Sequence, residues 1–379
     1  MRLRALRPVG EPLPPLRQAP STEQLLPRGY DMVFTQSGTA ALALALRLVA
    51  NRAGPDRRRV LLPAYGCPDL VAAVHFNGLE AELVDTAPDS PFMSLEQLCA
   101  RLDDDVLAVV GAHFLGLAED MAGIEAACAG RGIAVIEDSA QRVPGVGGIN
   151  PVSDFVVMSF GRGKPAGALG GGALLLRRGT LDPAVIETTL DMAQSPRVPM
   201  GLMRQLYNQA IRPLAYGVVA LAPGLELGVT RYKGLDAIHR MDAGRAKCAR
   251  AGWGGAASSP LGLQAAYFGM IEKLPEVHNL PTVRVQADRV PLGRFPVLLA
   301  HPGRRDALLA RLLDAGLGAS SMYGKALADL EGMPSMHASR VSSARSFAGR
   351  LLTLPLHRDV QDADFRRIER LLGSIGRPD

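Results

Sequence analysis

Hydrophobic positions along the chain change period segment by segment, and those changes divide it. From Asp31 to about Arg178, stretches with apolar residues at helical spacing alternate with short runs that are apolar throughout. Ala40 to Val49 reads as an Ala/Leu helix and Asp69 to Phe76 as a second. Asp120 to Arg131 reads as a third, closed by Gly132, and Ser94 as the cap of a shorter helix reaching Leu102. Between them, Arg59 to Pro63, Glu82 to Asp85, Val106 to Ala112, Ile133 to Ile136, Val156 to Phe160 and Ala173 to Leu176 read as strands. The unbroken apolar run Val106 to Ala112 suits a strand covered on both faces. Such alternation predicts an α/β domain with helices packed on a buried sheet.

The rhythm fails between residues 180 and 255, where helical pieces mix with Pro and Gly. Within that region Pro213 to Leu225 is uncharged and apolar, but two prolines and its length argue against a bilayer span. A buried helix hairpin fits it, and so does contact with a membrane surface or a lipid-linked substrate. Periodicity returns with a helix from Leu263 to Leu274, ended by Pro275. Strand (Arg294 to Ala300), helix (Gly303 to Ala315), a loop with Tyr323, helix (Ser339 to Arg350), strand (Leu351 to Leu356) and helix (Asp362 to Gly373) follow. The expected organisation is an N-terminal arm over 1–30, a large α/β domain over 31–255 and a small α+β domain over 256–379 that includes the linking helix.

Composition narrows the classes. A chain of 379 residues with 47% hydrophobic and 21% charged residues is an ordinary globular balance and fits a large domain plus a smaller one. The net charge of +5 is scattered, with no basic stripe carrying interleaved aromatics, so no nucleic-acid partner is expected. The run Arg57-Arg-Arg59 reads as a solvated loop. Cys67, Cys99, Cys128 and Cys248 form no Cys-x-x-Cys pair and have no His at zinc spacing, so no metal site is expected. Cys99 and Cys128 lie in helical patterns and read as buried thiols, a usage that fits a reducing cytoplasm. The first ten residues are basic without an apolar segment, unlike a secretory signal.

Chemistry concentrates in three places. Lys164 lies in Ser159-Phe-Gly-Arg-Gly-Lys164-Pro-Ala-Gly, among small residues and just after an apolar run. A lysine so placed can form a Schiff base with an aldehyde cofactor and shuttle a proton, and flanking glycines let backbone approach a ligand. Asp138 follows the strand in Ile136-Glu-Asp138, where a buried carboxylate needs a partner such as a pyridinium N–H; capping the next helix is the plainer role. Glu137 should point to the opposite face. Ser37-Gly38-Thr39 opens a helix where free N–H groups and the helix dipole suit an anion, and Ser159 can add a hydroxyl. Anchor, acidic partner and phosphate cradle together make a pyridoxal phosphate site the expectation. Tyr65 or Cys67 could lie against the cofactor ring, Gln141 could reach it, and His113 is as well explained by a structural role.

Taken together, Ser37-Gly-Thr-Ala-Ala-Leu, Leu83-Val-Asp85, Ala112-His-x-x-Gly116 with Asp120-Met121, Ile136-Glu-Asp-Ser-Ala-Gln141, Ser159-Phe-x-x-x-Lys164 and Leu354-Pro-Leu-His357 resemble the DegT/DnrJ/EryC1/StrS aminotransferases. The resemblance implies the fold-type-I arrangement of pyridoxal phosphate enzymes: a mostly parallel seven-stranded sheet flanked by helices, a smaller C-terminal α+β domain, and a homodimer with shared sites. It implies amino transfer from an amino acid donor, commonly glutamate, to a keto sugar attached to a nucleotide. By motif, Lys164 would carry the cofactor, Asp138 would pair with the pyridine nitrogen, Ser159 and Ser37-Gly38-Thr39 would hold the phosphate, and Gln141 would lie by the ring. Retention of the lysine sets the chain apart from the sugar dehydratase branch. Three positions depart from the pattern. Cys67 stands where a stacking aromatic is usual, Gly170 where an acidic residue is usual, and Ala257-Ser-Ser259 where the family has Asn-Tyr-Arg. The last departure and the apolar stretch leave two other readings open: the same chemistry on an apolar or carrier-bound ketone, and a cofactor-binding protein without turnover.

Overall fold

The computed structural model describes residues 4–146, 150–180, 193–220, 230–256, 261–286, 290–338 and 340–375. Seven strands form one sheet: β1 (Tyr30–Thr35), β2 (Arg59–Pro63), β3 (Glu80–Val84), β4 (Val106–Ala112), β5 (Ala134–Asp138), β6 (Phe155–Ser159) and β7 (Gly172–Arg177), in the order β1-β7-β6-β5-β4-β2-β3. Only β7 runs antiparallel to its neighbours, with Thr35 and Ser159 both in register with Gly172. The strands from β6 to β3 pair in parallel. The expected mostly parallel sheet is present, together with an edge strand, β1, that the hydrophobic pattern did not single out.

Helix α1 (Gly38–Ala53) lies across one face of the sheet beside α2 (Asp69–Phe76). Alanine and leucine favour helix, the Ser37 hydroxyl accepts the Ala40 N–H at 3.1 Å, and Gly54 ends the helix at a φ of 85°. On the other face, α3 (Met121–Cys128) starts from an Asp120 cap and buries Met121, Ile124 and Cys128 against β2, β4 and β5.

Further along come α4 (Met200–Ala210), α5 (Pro213–Val219), α6 (Ala243–Gly254) and α7 (Leu261–Ile271). Beyond them, β8 (Val277–Asn279), β9 (Phe295–Leu299) and β10 (Leu351–Leu354) make an antiparallel sheet in the order β10-β9-β8. Helices α8 (Arg305–Asp314), α9 (Ser342–Arg350) and α10 (Asp362–Leu372) pack with it. One continuous core joins α1 to this second sheet. Asp85, just after β3, contributes to that junction by accepting the Ser343 and Ala344 N–H groups at the start of α9 (3.0 and 2.9 Å).

Several sequence expectations change. The arm is extended but anchored: Leu6 and Leu13 are buried, Arg4 binds Asp364 at 2.7 Å, Arg7 pairs with Asp359, and the His357 Nε2–H donates to the Arg7 carbonyl at 2.9 Å. Cys99 is exposed, because it ends a helix of a single turn, whereas Cys128 is buried. Arg59 begins β2 and joins Asp103, Asp105 and Glu82, so it belongs to an ion-pair network and not to a solvated loop. In α5, Leu214 and Val218 are 65% and 62% exposed, so a buried hairpin does not describe the part of Pro213 to Leu225 seen here. Residues 221–225, Ala257-Ser-Ser259 and Ser339 lie outside the described residues.

Candidate active site

The carboxyl ends of the parallel strands meet at a cavity of about 130 Å³. Open α/β sheets place ligands at this edge because loops and helix N-termini converge there. Asp138 arrives from the end of β5 and Ser159 from the end of β6. His113 follows β4, Tyr65 and Cys67 follow β2, and Gly38 and Thr39 open α1. Lys164 and Gln141 also line this cavity, so the chain brings together every expected site residue except Ser37. Ser37 stays behind the wall, its hydroxyl committed to capping α1.

Close backbone approach explains the glycines here. A Cβ on Gly38 would lie 2.9 Å from the Ser159 Cβ, so only glycine lets the start of α1 sit against β6. A Cβ on Gly172 would fall 2.3 Å from the Ser37 carbonyl oxygen. Gly172 therefore lets β7 lie against the Ser37–Gly38 backbone. The loop carrying Lys164 folds back on Phe160, whose carbonyl accepts the Ala168 and Gly170 N–H groups at 2.7 and 3.1 Å.

Asp138 Oδ1 accepts the Ala140 N–H at 2.9 Å, and no donor among the described residues takes its other oxygen. Burial pushes its carboxyl above the usual range, while the Ala140 N–H and the Lys164 charge pull the other way. Glu137 faces away from the cavity as the strand period requires. Burial alone would raise its carboxyl, but hydrogen bonds from His113, the Val152 N–H and Ser139 hold it below the ordinary value. His113 is fixed as one tautomer: Nε2–H donates to Glu137 at 2.9 Å and Nδ1 accepts the Glu119 N–H at 3.0 Å. With both nitrogens engaged in hydrogen bonds, His113 supplies a wall of the cavity.

Gln141 is held between the Leu115 N–H (3.1 Å, to Oε1) and the Tyr323 hydroxyl (2.8 Å, from Nε2). Tyr323 comes from the loop after α8, so the C-terminal part closes this side of the cavity. Sequence reasoning noted it only as a loop residue; its neighbour Met322 at a φ of 56° marks a tight turn that no pattern announces. Tyr65 packs edge-on against Phe114, Tyr323 and Phe347, with ring centroids 5.6, 5.3 and 4.9 Å away. The Cys67 thiol is pushed up to about 12, mainly by burial and then by Asp69. It is a neutral, inert surface at neutral pH.

These residues fit pyridoxal 5′-phosphate. The open oxygen of Asp138 suits a ring N–H, the glycine-lined opening of α1 beside Ser159 suits a phosphate, and the Lys164 ammonium has no hydrogen-bond partner among the described residues. The fold is that of the fold-type-I pyridoxal phosphate enzymes. A solved DegT DnrJ EryC1 StrS aminotransferase from Brucella abortus shares it with a TM-score of 0.67 at 21% identity, over 94% of this chain and 88% of that one. Residues 30–193 match the sequence profile of the DegT/DnrJ/EryC1/StrS aminotransferase family. Protein MosB of Rhizobium meliloti is 33% identical over 162 residues, 42% of this chain and 31% of that protein. The UDP-N-acetyl-3-dehydro-alpha-D-glucosamine 3-aminotransferase of Acidithiobacillus ferrooxidans is 32% identical over 146 residues, 37% of this chain and 38% of the relative. The matched segments thus span about a third of those relatives' length.

Proposed function

We propose that the chain is a pyridoxal-phosphate-dependent aminotransferase that moves an amino group from an amino acid, with glutamate the expected donor, to a keto sugar attached to a nucleotide. The observation that carries this reading is the convergence of Lys164, Asp138 and the Gly38–Thr39 opening of α1 on one cavity. The Acidithiobacillus ferrooxidans relative, named for a UDP-linked keto sugar, supports the choice of acceptor.

When bound, the cofactor supplies an aldehyde that captures amines and a ring that takes up electrons. Lys164 would hold it through Nζ and, once displaced by the donor, would move a proton from the donor's α-carbon. Asp138 would accept the ring N–H and keep it protonated. Ser159 and the N–H groups at the start of α1 would hold the phosphate, with Tyr65, Cys67 and Gln141 as walls. A homodimer with shared sites belongs to the same reading.

The test is the absorbance spectrum of the purified chain with added pyridoxal phosphate, before and after glutamate. The expected result is a visible band of lysine-bound cofactor that glutamate bleaches, and no such band in Lys164→Ala. A band that survives Lys164→Ala would remove the lysine from its role. A wild-type band that no amino donor changes would favour cofactor binding without turnover.

One observation favours a second acceptor class. Leu202, Met203 and Leu206 on α4 and Leu214 and Val218 on α5 are exposed, and the two helices touch. No helix among the described residues is long and apolar enough to cross a membrane, but such a face suits a lipid-linked or otherwise apolar ketone at a membrane surface. Flotation with anionic lipid vesicles, lost in Leu202→Ser/Leu206→Ser, would support this; no flotation of the wild type would end it.

A further inference from the structure

Beside the first cavity lies a larger one of about 390 Å³, and Lys164 and Gln141 line both. Its other walls come from arm residues 9–15, the Arg162–Lys164 loop, the end of α6 and residues 290–293. Arg142, the residue after Gln141, also lines it and is only 3% exposed. Its Nε and Nη2 are buried and donate no hydrogen bond to any described residue. Among the described residues, the carboxylate acting on it is Glu137, which is already committed to His113, Ser139 and the Val152 N–H.

An unpaired buried guanidinium is costly, and native structures rarely keep one without a use. Most of the other lining charges have the same sign. Among the described residues the cavity carries Arg142, Arg162, Lys164 and Arg358, against one carboxylate, Glu11. Glu11 is itself taken up by Arg358, through the backbone N–H at 3.1 Å and Nε at 2.8 Å. A cavity with this balance attracts anions, and a planar fork of N–H donors matches a carboxylate or phosphate.

We propose that Arg142 anchors an oxyanion subsite in the larger cavity, holding the carboxylate or phosphate of a substrate whose reacting end reaches Lys164. Calling the anion a substrate group rests on the aminotransferase reading; anion binding at Arg142 does not. Two sources share this chemistry, the carboxylates of an amino donor and the diphosphate of a nucleotide-linked acceptor.

Glutarate and uridine diphosphate separate them, titrated calorimetrically into the full chain with and without pyridoxal phosphate. At least one should bind the wild type, with uridine alone as the uncharged control. Arg142→Gln should weaken that binding by about tenfold or more, the worth of a charge-assisted hydrogen bond, and Arg142→Lys by less. Because Arg142→Gln removes an unpaired buried cation, its ligand-free Tm should be no lower than wild type. Binding of neither probe to the wild type, or equal binding to Arg142→Gln, would overturn the subsite. So would a ligand-free Tm several degrees lower, which would make the guanidinium a support of the fold. Arg142-dependent binding in a chain whose spectrum no amino donor changes would sink the aminotransferase reading alone.

Discussion

Gly172→Ala tests how the proposed phosphate cradle is built. The added methyl would sit 2.3 Å from the Ser37 carbonyl oxygen, 2.4 Å from its carbon and 2.5 Å from the Gly38 nitrogen. All three are backbone atoms, so no rotamer relieves the overlap, and ordinary contact requires a displacement of roughly 1 Å. Gly172 cannot yield, because β7 is paired on both sides. The Ser37–Gly38 peptide must move instead, and it opens α1. Overpacking costs about 1–3 kcal/mol, and a backbone clash in a central strand belongs at the upper end. With an unfolding entropy of about 2.1 cal/mol/K per residue, 379 residues give about 0.8 kcal/mol/K, so a loss of about 3 kcal/mol lowers Tm by about 4 °C. Calorimetry reads that shift, and titration of the visible band reads cofactor affinity, which should fall at least about tenfold as two or more phosphate hydrogen bonds are misaligned. Gly38→Ala is the comparison: it meets the Ser159 Cβ at 2.9 Å, a smaller overlap than the 2.3 Å at Gly172, so its Tm should fall less. Wild-type Tm and cofactor affinity in Gly172→Ala would refute this account of the cradle.

Two further expectations concern charge. Asp138→Asn can still accept the Ala140 N–H while offering no anion to the ring nitrogen. Cofactor affinity should stay within about tenfold and the glutamate half-reaction should slow by about a hundredfold, the worth of one charge-assisted hydrogen bond; stopped-flow bleaching measures it, and an unchanged rate removes Asp138 from the chemistry. Stability against pH carries two opposed contributions. Burial, with the Arg7 charge next, lowers the His357 imidazole to about 4, so its contribution is full above about pH 6.5 and is lost as pH falls towards 4. Burial raises the Glu119 carboxyl to about 7, against its bonds from the Met93 and Asp120 N–H groups, so its contribution is full below about pH 4.5 and is lost as pH rises through 7. Each amounts to about 3 kcal/mol. Denaturant unfolding from pH 4.5 to 6.5 should therefore show stability rising with pH in Glu119→Gln and falling in His357→Gln. Parallel slopes in the two variants would contradict these assignments.

Much of the architecture was legible because it rests on burial of continuous segments. Strand β4 is apolar throughout, and β5 and β6 are apolar until their C-terminal residues, since helices cover both faces; Asp138 and Lys164 stand out because a charged residue at the end of such a run needs an explanation. By contrast, β1 sits at the sheet edge with only Tyr30 and Thr35 fully buried, so its pattern is blurred. Strand β8 has three residues, too few to show a period. Leu6 and Leu13 anchor the arm singly among prolines and arginines, with no repeat to read. Tyr323 and Arg142 join the site through tertiary approach alone. Arg142 is next to a motif residue, but nothing local shows that its guanidinium lacks a counterion.

The arm has a consequence for how this protein could change. It crosses the loop of Lys164, with a Cβ on Gly163 placed 2.7 Å from Val9 Cγ1, and its Leu13 backbone is bound by Asn208 of α4. The residues that would perform chemistry hang from the sheet, whereas one wall of the larger cavity is a ribbon of irregular chain with no role in the sheet's hydrogen bonding. Substitutions between Glu11 and Pro15 can therefore reshape what enters while leaving the sheet and Asp138 in place. That wall of the cavity would then lie in a stretch of sequence apart from those carrying Asp138 and Lys164, free to evolve at its own rate.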